Sequence, residues 1–327
     1  MSYSMKVEIE RFPIAGVFRI ARGARTEAQV VTCTISNGTA SGRGECVPYP
    51  RYGETLDSVI AQMEKVRDLV ERGITREDLL EAMPAGAARN AIDCALWDVE
   101  AKTSGKRVYE HVCNTPLRPV TTAATISLGS VDEMAEAARA NATRPLLKVK
   151  VGADNDAARI HAVAASAPNS RLIIDANEGW TAENIQENLL ACAEHKVALV
   201  EQPLPAGEDA ILARIPHPVP ICADESLHTV ADLPDLKGRY DAVNIKLDKT
   251  GGLTAAIILH REARASGFSI MIGCMVGSSL AMAPALLLAQ DADFVDLDGP
   301  LLLKEDREPG LKYTGSVVTP PMPELWG

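Results

Sequence analysis

Residues 145–154 read PLLKVKVGAD. Leu146, Leu147, Val149 and Val151 form an apolar, partly β-branched run bounded by Pro145 and Gly152, the pattern of a short buried strand. Lys148 and Lys150 interrupt it. Side chains two residues apart in a strand share a face, so both ammonium groups point the same way, about 6 to 7 Å apart.

Segments of the same kind recur from about residue 120 onward: TAATISLG, LLKVKVG, RLIIDANEG, ALVEQPL, PICADES, AVNIKLDKTGG, SIMIGCM and FVDLDGP, alternating with helix-like stretches. Eight strands in βα alternation predict a parallel barrel. From Lys150, comparable strand ends fall at Asp175, Glu201, Asp224, Lys246, Cys274 and Asp298, in steps of 25, 26, 23, 22, 28 and 24 residues. A doubly wound open sheet is the rival, but no G-x-G-x-x-G or P-loop follows a strand, and near-equal units favour closure. The first third differs. MKVEIERFPI, AQVVTCTIS and ASGRGECVP alternate like antiparallel strands, and helical stretches around 56–70 and 84–103 follow them, which makes an α+β unit. Pro84 suits the first turn of the second helix, whose Ala88, Ala91, Ile92, Ala95, Leu96 and Val99 repeat at helical spacing until Gly105. Its acids Asp93, Asp98 and Glu100 are expected on solvated faces.

At 327 residues the chain has room for a large α/β domain with an appendage, or for two domains. It is 46% hydrophobic, yet no run of 18 apolar residues occurs and the opening MSYSMKVEIERF lacks a signal-peptide stretch, so a soluble cytoplasmic protein is expected. Seven scattered cysteines without a C-x-x-C pair argue for reduced thiols over disulfides or zinc. The net charge of -11 disfavours nucleic acid and anionic membranes as partners, and leaves a homo-oligomer open.

In a closed βα barrel, polar residues at the C-terminal strand ends converge on one cavity. Here DAN, EQP and ADES end three consecutive strands and aim Asp175, Glu201 and Asp224 at the mouth. Three carboxylates so close repel one another unless a cation holds them, and all-oxygen ligation selects a hard ion, Mg²⁺, with positions open for substrate. Lys148 and Lys150 lie on the inward face of the second barrel strand, and Lys246 of NIKLD has the same parity on the sixth, across the barrel. Lys148, beside another cation, is expected to lower the pKa of its neighbour, leaving Lys150 a base near neutral pH. In the last strand Asp296 and Asp298 again share a face, a pair suited to a cationic group such as a substrate ammonium.

PRYGE, PAGAARNAIDCALWD, LLKVK, DANE, EQPLP, CADES, NIKLDKTGGL and DLDGP resemble, in the same order, the segments of the enolase superfamily, in particular the dipeptide epimerases of its muconate-lactonising-like subgroup. The resemblance covers almost the whole chain. It implies an α+β capping domain over 1–117, a modified (β/α)7β TIM-type barrel over 118–311, and a tail, 312–327, returning to the cap. It implies Mg²⁺, with Mn²⁺ as a substitute, and proton transfer through an ene-diolate by Lys150 and Lys246, assisted by Lys148. The substrate is then a dipeptide, L-Ala-D-Glu or L-Ala-L-Glu, inverted at its C-terminal residue, in the setting of murein peptide recycling. Asp296 and Asp298 would take its α-ammonium. The cap loops RIARGAR and PYPRYGE would supply Arg22 or Arg25 for the side-chain carboxylate and Tyr52 as a further contact. Asn177, Glu225 and Asp248 would support the ligands and lysines from behind. Cycloisomerisation, o-succinylbenzoate synthesis and a non-catalytic dipeptide-binding barrel stay open as alternatives; DLD argues against the first two, and the intact lysines against the third.

Overall fold

Two long strands open the molecule, β1 (Ser4–Ile20) and β2 (Gly23–Ser36), and β3 (Ser41–Cys46) completes an antiparallel sheet in the order β1-β2-β3. The computed structural model describes residues 3–327. The β1–β2 register shifts between Pro13 and Phe18, where proline withholds an N–H and Gly16 takes φ 95°. Helices α1 (Leu56–Lys65), α2 (Arg67–Glu71), α3 (Arg76–Ala82) and α4 (Ala87–Ser104) follow, then the single turn α5 (Tyr109–Val112). The Thr55–Ser58 capping box opens α1 and Thr75 caps α3.

The helix α4 differs from expectation in two ways. It starts at Ala87 behind Gly86 at φ 139°, so Pro84 precedes it instead of filling its first turn; Gly105, at φ 73°, ends it as the spacing predicts. More consequentially, Asp93 and Asp98 are buried, and Glu100 is only half-buried. One face of α4 lies against β3 at backbone contact: a Cβ on Gly44 would stand 2.1 Å from the Ala91 carbonyl oxygen. The other face lies against the barrel. There the Asp93 carboxylate accepts the Thr254 backbone N–H at 3.0 Å and the Thr254 hydroxyl at 2.6 Å, capping a barrel helix whose own N-cap, Gly252, has no side chain. Asp98 accepts the Arg43 and Gly327 N–H groups, each at 2.8 Å. With Trp326 Nε1 donating to the Cys94 carbonyl at 2.9 Å, the C-terminal residues pack on α4.

A small antiparallel sheet joins β4 (Val120–Thr121) to β13 (Tyr313–Thr314) and β14 (Val317–Val318). The barrel strands are β5 (Ala124–Ile126), β6 (Leu146–Lys150), β7 (Arg171–Asp175), β8 (Leu199–Glu201), β9 (Ile221–Ala223), β10 (Ala242–Ile245), β11 (Ser269–Ile272) and β12 (Phe294–Val295), hydrogen-bonded in sequence order and parallel. The Ala123 N–H donates to the Val295 carbonyl at 2.8 Å and Leu297 N–H to Thr122 Oγ1 at 2.8 Å, drawing the first strand to the eighth. Helices α6 (Val131–Ala140), α7 (Asp156–Ser166), α8 (Ile185–Glu194), α9 (Leu233–Leu236), α10 (Leu247–Thr250), α11 (Leu253–Ala265) and α12 (Ser279–Leu288) connect the strands. Only a 3-10 turn, Ala210–Arg214, follows β8, and another, Gly299–Leu302, follows β12. The architecture is a (β/α)7β barrel with an α+β cap.

Period-2 alternation places Leu147, Val149 and Val151 in the layer between strands and helices. Leu146 joins Ala123, Ile173, Leu199, Cys222, Ala242 and Met271 in an apolar plug at the N-terminal end of the barrel interior. The next inward positions, Lys148 and Lys150, stand above that plug and below the cap. All seven cysteines are free thiols, and no helix among the described residues is long and apolar enough to cross a membrane.

Candidate active site

Lys150 pairs with Asp175, and Asp175 with Glu201, as neighbours across parallel strands, so the three side chains emerge at one level of the barrel. Asp224 follows β9 by one residue. The chain turns sharply after the first two acids, Asp175 and Glu201: Asn177, Glu178 and Gln202 have φ of 44°, 68° and 33°. Left-handed backbone at non-glycine residues costs about 1 to 3 kcal/mol each and persists where surrounding bonds dictate it. Here Asn177 N–H donates to Asp175 Oδ1 at 2.9 Å, and Gln202 Oε1 accepts Asp224 N–H at 2.8 Å and Ser226 N–H at 3.1 Å. The bends hold the carboxylates in place.

The lysines answer them. Lys148 Nζ lies 2.7 Å from Glu201 Oε2, 2.8 Å from Asp296 Oδ2 and 3.1 Å from Asp175 Oδ2. Lys150 Nζ is 2.6 Å from Asp175 Oδ2, and Lys246 Nζ 2.7 Å from Asp224 Oδ2. Burial opposes charge on Lys148, but Asp296, Glu201 and Asp175 outweigh it and hold its pKa well above the usual lysine value. Lys148 is thus ion-paired with three acids that come from three other strands. Burial works against Asp224 too, yet Lys246 and Lys249 keep its carboxyl well below the ordinary range. For Glu201, burial and the Asp175 charge prevail and push the carboxyl up to about 7.

Lys249 is absent from the sequence expectations. Its Nζ sits 2.6 Å from Asp224 Oδ1, fully buried. The signal was its spacing, three residues after Lys246 on the single turn α10, which puts both amines on one side. Asn244, whose Nδ2 donates to Glu201 Oε1 at 2.8 Å, and Gln202 were equally unmarked. Asp248 stands apart from the carboxylate cluster. Its Oδ1 accepts Val47 N–H at 3.0 Å and Asn90 Nδ2 at 2.9 Å, tying the barrel to the cap, and burial raises its pKa to about 7.

Above the cluster is a cavity of about 420 Å³. Lys150, Lys246, Asp224, Glu225 and Asn177 form its floor, and Arg22, Arg25, Tyr49, Arg51 and Tyr52 come from the two cap loops. Tyr52 packs edge-on against His228, ring centroids 4.5 Å apart. The two arginines of RIARGAR differ. Arg22 donates to Glu225 Oε1 at 2.6 Å, Glu178 Oε2 at 2.9 Å, the Asn177 carbonyl at 2.7 Å and the Tyr49 hydroxyl at 3.1 Å. Arg25 is exposed, its guanidinium 5.2 Å from the centre of the Tyr49 ring, and has no ion pair among the described residues. Below the cavity and outside its lining, beside Lys148, Asp296 Oδ1 is buried with no hydrogen-bond partner, and Asp298 Oδ2 accepts Thr125 N–H at 2.7 Å. Burial and the charge of Asp296 raise Asp298 to about 7.

A metal ion suits the donor set. Among the described residues no three acidic, histidine or cysteine side chains close on one point, because lysine amines occupy the space between the carboxylates. Yet Glu201 Oε2 is buried without a hydrogen bond, 2.7 Å from the Lys148 ammonium, and the three acids offer oxygen alone. That is the ligand chemistry of a hard cation.

The enolase C-terminal domain-like family matches residues 129–297, and the mandelate racemase/muconate lactonizing enzyme N-terminal domain matches residues 3–112. The chain belongs to this enolase-like family. L-Ala-D/L-Glu epimerase of Escherichia coli (strain K12) is 48% identical over 313 residues, 95% of this chain and 98% of that protein. N-acetyl-D-glutamate racemase of a Pseudoalteromonas species is 46% identical over 302 residues, 91% of this chain and 95% of that one. An enolase family member from Agrobacterium tumefaciens with homology to dipeptide epimerases, described with bound sodium and L-Ala-L-Glu with an ordered loop, has 59% identity and a TM-score of 0.98, covering 99% of this chain and 100% of that chain. This chain is an isomerase of the racemase and epimerase type acting on amino-acid derivatives.

Proposed function

We propose that this chain, acting in the cytoplasm, epimerises a dipeptide at the α-carbon of its C-terminal residue, interconverting L-Ala-D-Glu and L-Ala-L-Glu in murein peptide recycling. One observation carries the reading: Lys150 and Lys246, from the second and sixth barrel strands, both face the same cavity, each against a different strand-end carboxylate. In this reading residues 1–117 cap a catalytic barrel of 118–311; of the tail expected on the cap, 312–327, the first part pairs with β4 beside the barrel and only the last residues, Trp326 and Gly327 among them, pack back on the cap. Asp175, Glu201 and Asp224 would hold Mg²⁺, or Mn²⁺ in its place. When bound, that ion supplies the positive charge that makes the proton beside a carboxylate acidic enough to remove.

The chain's residues do the rest. One lysine takes the α-proton from one face of the substrate carbon, and the other returns a proton from the opposite face, which inverts configuration. Lys148, locked among Asp175, Glu201 and Asp296, keeps the acids apart and supplies positive charge below the reacting carbon. The bare Oδ1 of Asp296, with Asp298 beside it, accepts the α-ammonium of the first residue. Arg25, with no carboxylate of its own, takes the glutamate side chain. Arg22 is spent on Glu225 and Glu178 and acts on the loop instead.

Racemisation of N-acetylglutamate is the second reading, favoured by the 46% identical relative. Such a substrate has no ammonium for Asp296. Proton NMR in D₂O with Mg²⁺ separates the two: L-Ala-L-Glu, L-Ala-D-Glu and N-acetylglutamate are each followed for loss of the α-proton signal. Asp296 keeps Lys148 on its Oδ2, but its bare Oδ1 gains a partner only from an ammonium, so kcat/KM for Ala-Glu is expected to exceed that for N-acetylglutamate by about tenfold or more. Faster turnover of N-acetylglutamate would overturn the dipeptide assignment.

A further inference from the structure

We propose that Glu178 is the positioning residue on which both cap loops close, and that it sets how Arg25 and Tyr52 stand over the cavity. The activity part of this inference rests on the dipeptide reading above; the loop part does not. Glu178 lies on the barrel, in the left-handed bend after β7, with a side chain only 7% exposed. Its four acceptor positions are all taken. Oε1 accepts Arg51 Nη2 at 2.7 Å and the Ala206 N–H at 2.8 Å; Oε2 accepts Arg51 Nε at 2.7 Å and Arg22 Nη1 at 2.9 Å. Arg51 belongs to the loop around 49–54 and Arg22 to the turn between β1 and β2, so one carboxylate holds two loops separated by 29 residues of chain, 51 minus 22.

The hold passes on to the residues that face the cavity. Arg22 also bonds the Tyr49 hydroxyl at 3.1 Å. The Tyr49 ring in turn carries Arg25 at 5.2 Å on one side and Tyr52 at 5.2 Å on another. Arg25 is thus placed by stacking on a ring held by Arg22, which Glu178 shares with Glu225 at 2.6 Å and the Asn177 carbonyl at 2.7 Å. A bidentate arginine–carboxylate pair defines orientation as well as proximity, which a single amine contact would not. The Ala206 N–H anchors Glu178 itself to the loop after β8, so the clamp is referenced to the barrel rim.

Glu178→Gln keeps the size of the side chain and an oxygen for Ala206 while removing the charge that both arginines use. Arg51→Ala, at a side chain 39% exposed, releases one loop only. Hydrogen exchange of the magnesium-loaded, substrate-free protein reads the loops without reference to any substrate. Glu178→Gln should speed exchange by about tenfold in both 20–26 and 49–54, and Arg51→Ala in 49–54 alone. Unchanged exchange in both loops of Glu178→Gln overturns the proposal. With L-Ala-L-Glu, KM should rise about tenfold in Glu178→Gln while kcat stays within about threefold, because the lysines and acids are untouched. A fall in kcat with KM unchanged would make Glu178 part of the chemistry and overturn the positioning role. Loosened loops with unchanged KM would overturn it as well. Should the dipeptide reading fail, that failure appears as absent turnover in the unaltered enzyme, while the exchange pattern still decides the loop part.

Discussion

Lys246→Ala tests the two-lysine scheme most directly. Lys246 Nζ contacts Asp224 Oδ2 at 2.7 Å, but Asp224 Oδ1 is held independently by Lys249 at 2.6 Å, so the buried carboxylate keeps a cationic partner after the truncation. Lys246 also lines the open cavity of about 420 Å³, so removing its chain enlarges a wet space instead of leaving a sealed void. Stability should therefore fall by about 1 kcal/mol or less, a shift of roughly 1 to 2 °C in Tm for a chain of this size. The loss in epimerisation should be far larger. A positioned acid or base contributes about 10²- to 10⁴-fold, roughly 2.7 to 5.4 kcal/mol of barrel-side transition-state stabilisation at 1.36 kcal/mol per tenfold. Lys150 is left intact, so α-proton exchange of one epimer should continue near its original rate, and Lys150→Ala should show the complementary epimer. The assay is loss of the α-proton NMR signal from each pure epimer in D₂O with Mg²⁺, alongside polarimetric measurement of interconversion. Parallel loss of exchange from both epimers, or interconversion close to that of the unaltered enzyme, would refute the assignment of one lysine to each face.

Chelation with EDTA should abolish turnover and added Mg²⁺, or Mn²⁺, should restore it; full turnover in a metal-free preparation would remove Asp175, Glu201 and Asp224 as ligands. Asp224→Asn should destabilise the metal-free protein by about 3 to 5 kcal/mol in denaturant titration, because Lys246 and Lys249 lose their shared buried counter-charge; an unchanged midpoint would mean that relief of repulsion among the acids compensates. Arg25→Met should lower kcat/KM for Ala-Glu by tenfold or more while sparing Ala-Met and Ala-Leu, since only the first leaves a carboxylate without its partner; equal losses on all three would make Arg25 structural. Asp93, raised by burial from 3.8 to about 6, binds more protons folded than unfolded, so its contribution to stability is greatest below pH 4 and declines as pH rises through 6. The size is about 3 kcal/mol at 1.36 kcal/mol per unit, so Asp93→Asn should flatten that part of the stability profile, and an unaltered profile would count against Asp93 as its source.

Much of the architecture and part of the site were legible because side-chain direction follows from backbone period. Alternation in LLKVK puts Leu147 and Val149 outward and Lys148 and Lys150 inward, and the structure has them so. Even spacing of strand ends brings Asp175, Glu201, Asp224 and Lys246 to one rim because each βα unit advances the chain by one strand. Where local pattern misled, a second surface was responsible. Helix α4 reads as amphipathic, yet the barrel covers Asp93, which accepts from Thr254, and β3 with the C-terminal residues covers Asp98, which accepts from Arg43 and Gly327.

By itself, then, the sequence determined the class of fold, the parity of the lysines and the acids that end the strands, all of them consequences of short-range periodicity. Only the tertiary structure decided who partners whom. Lys150 lies two residues from Lys148, but the charges that govern Lys148 include Asp296, 148 residues away. Arg22 and Arg25 are alike as residues of one hairpin; Glu178 and Glu225, which claim the first and leave the second facing the cavity, are separated from Arg22 by more than 150 residues. Coulomb attraction and hydrogen bonding act over a few ångströms of space, and the closure of the barrel, not the order of the chain, sets which groups come within that distance.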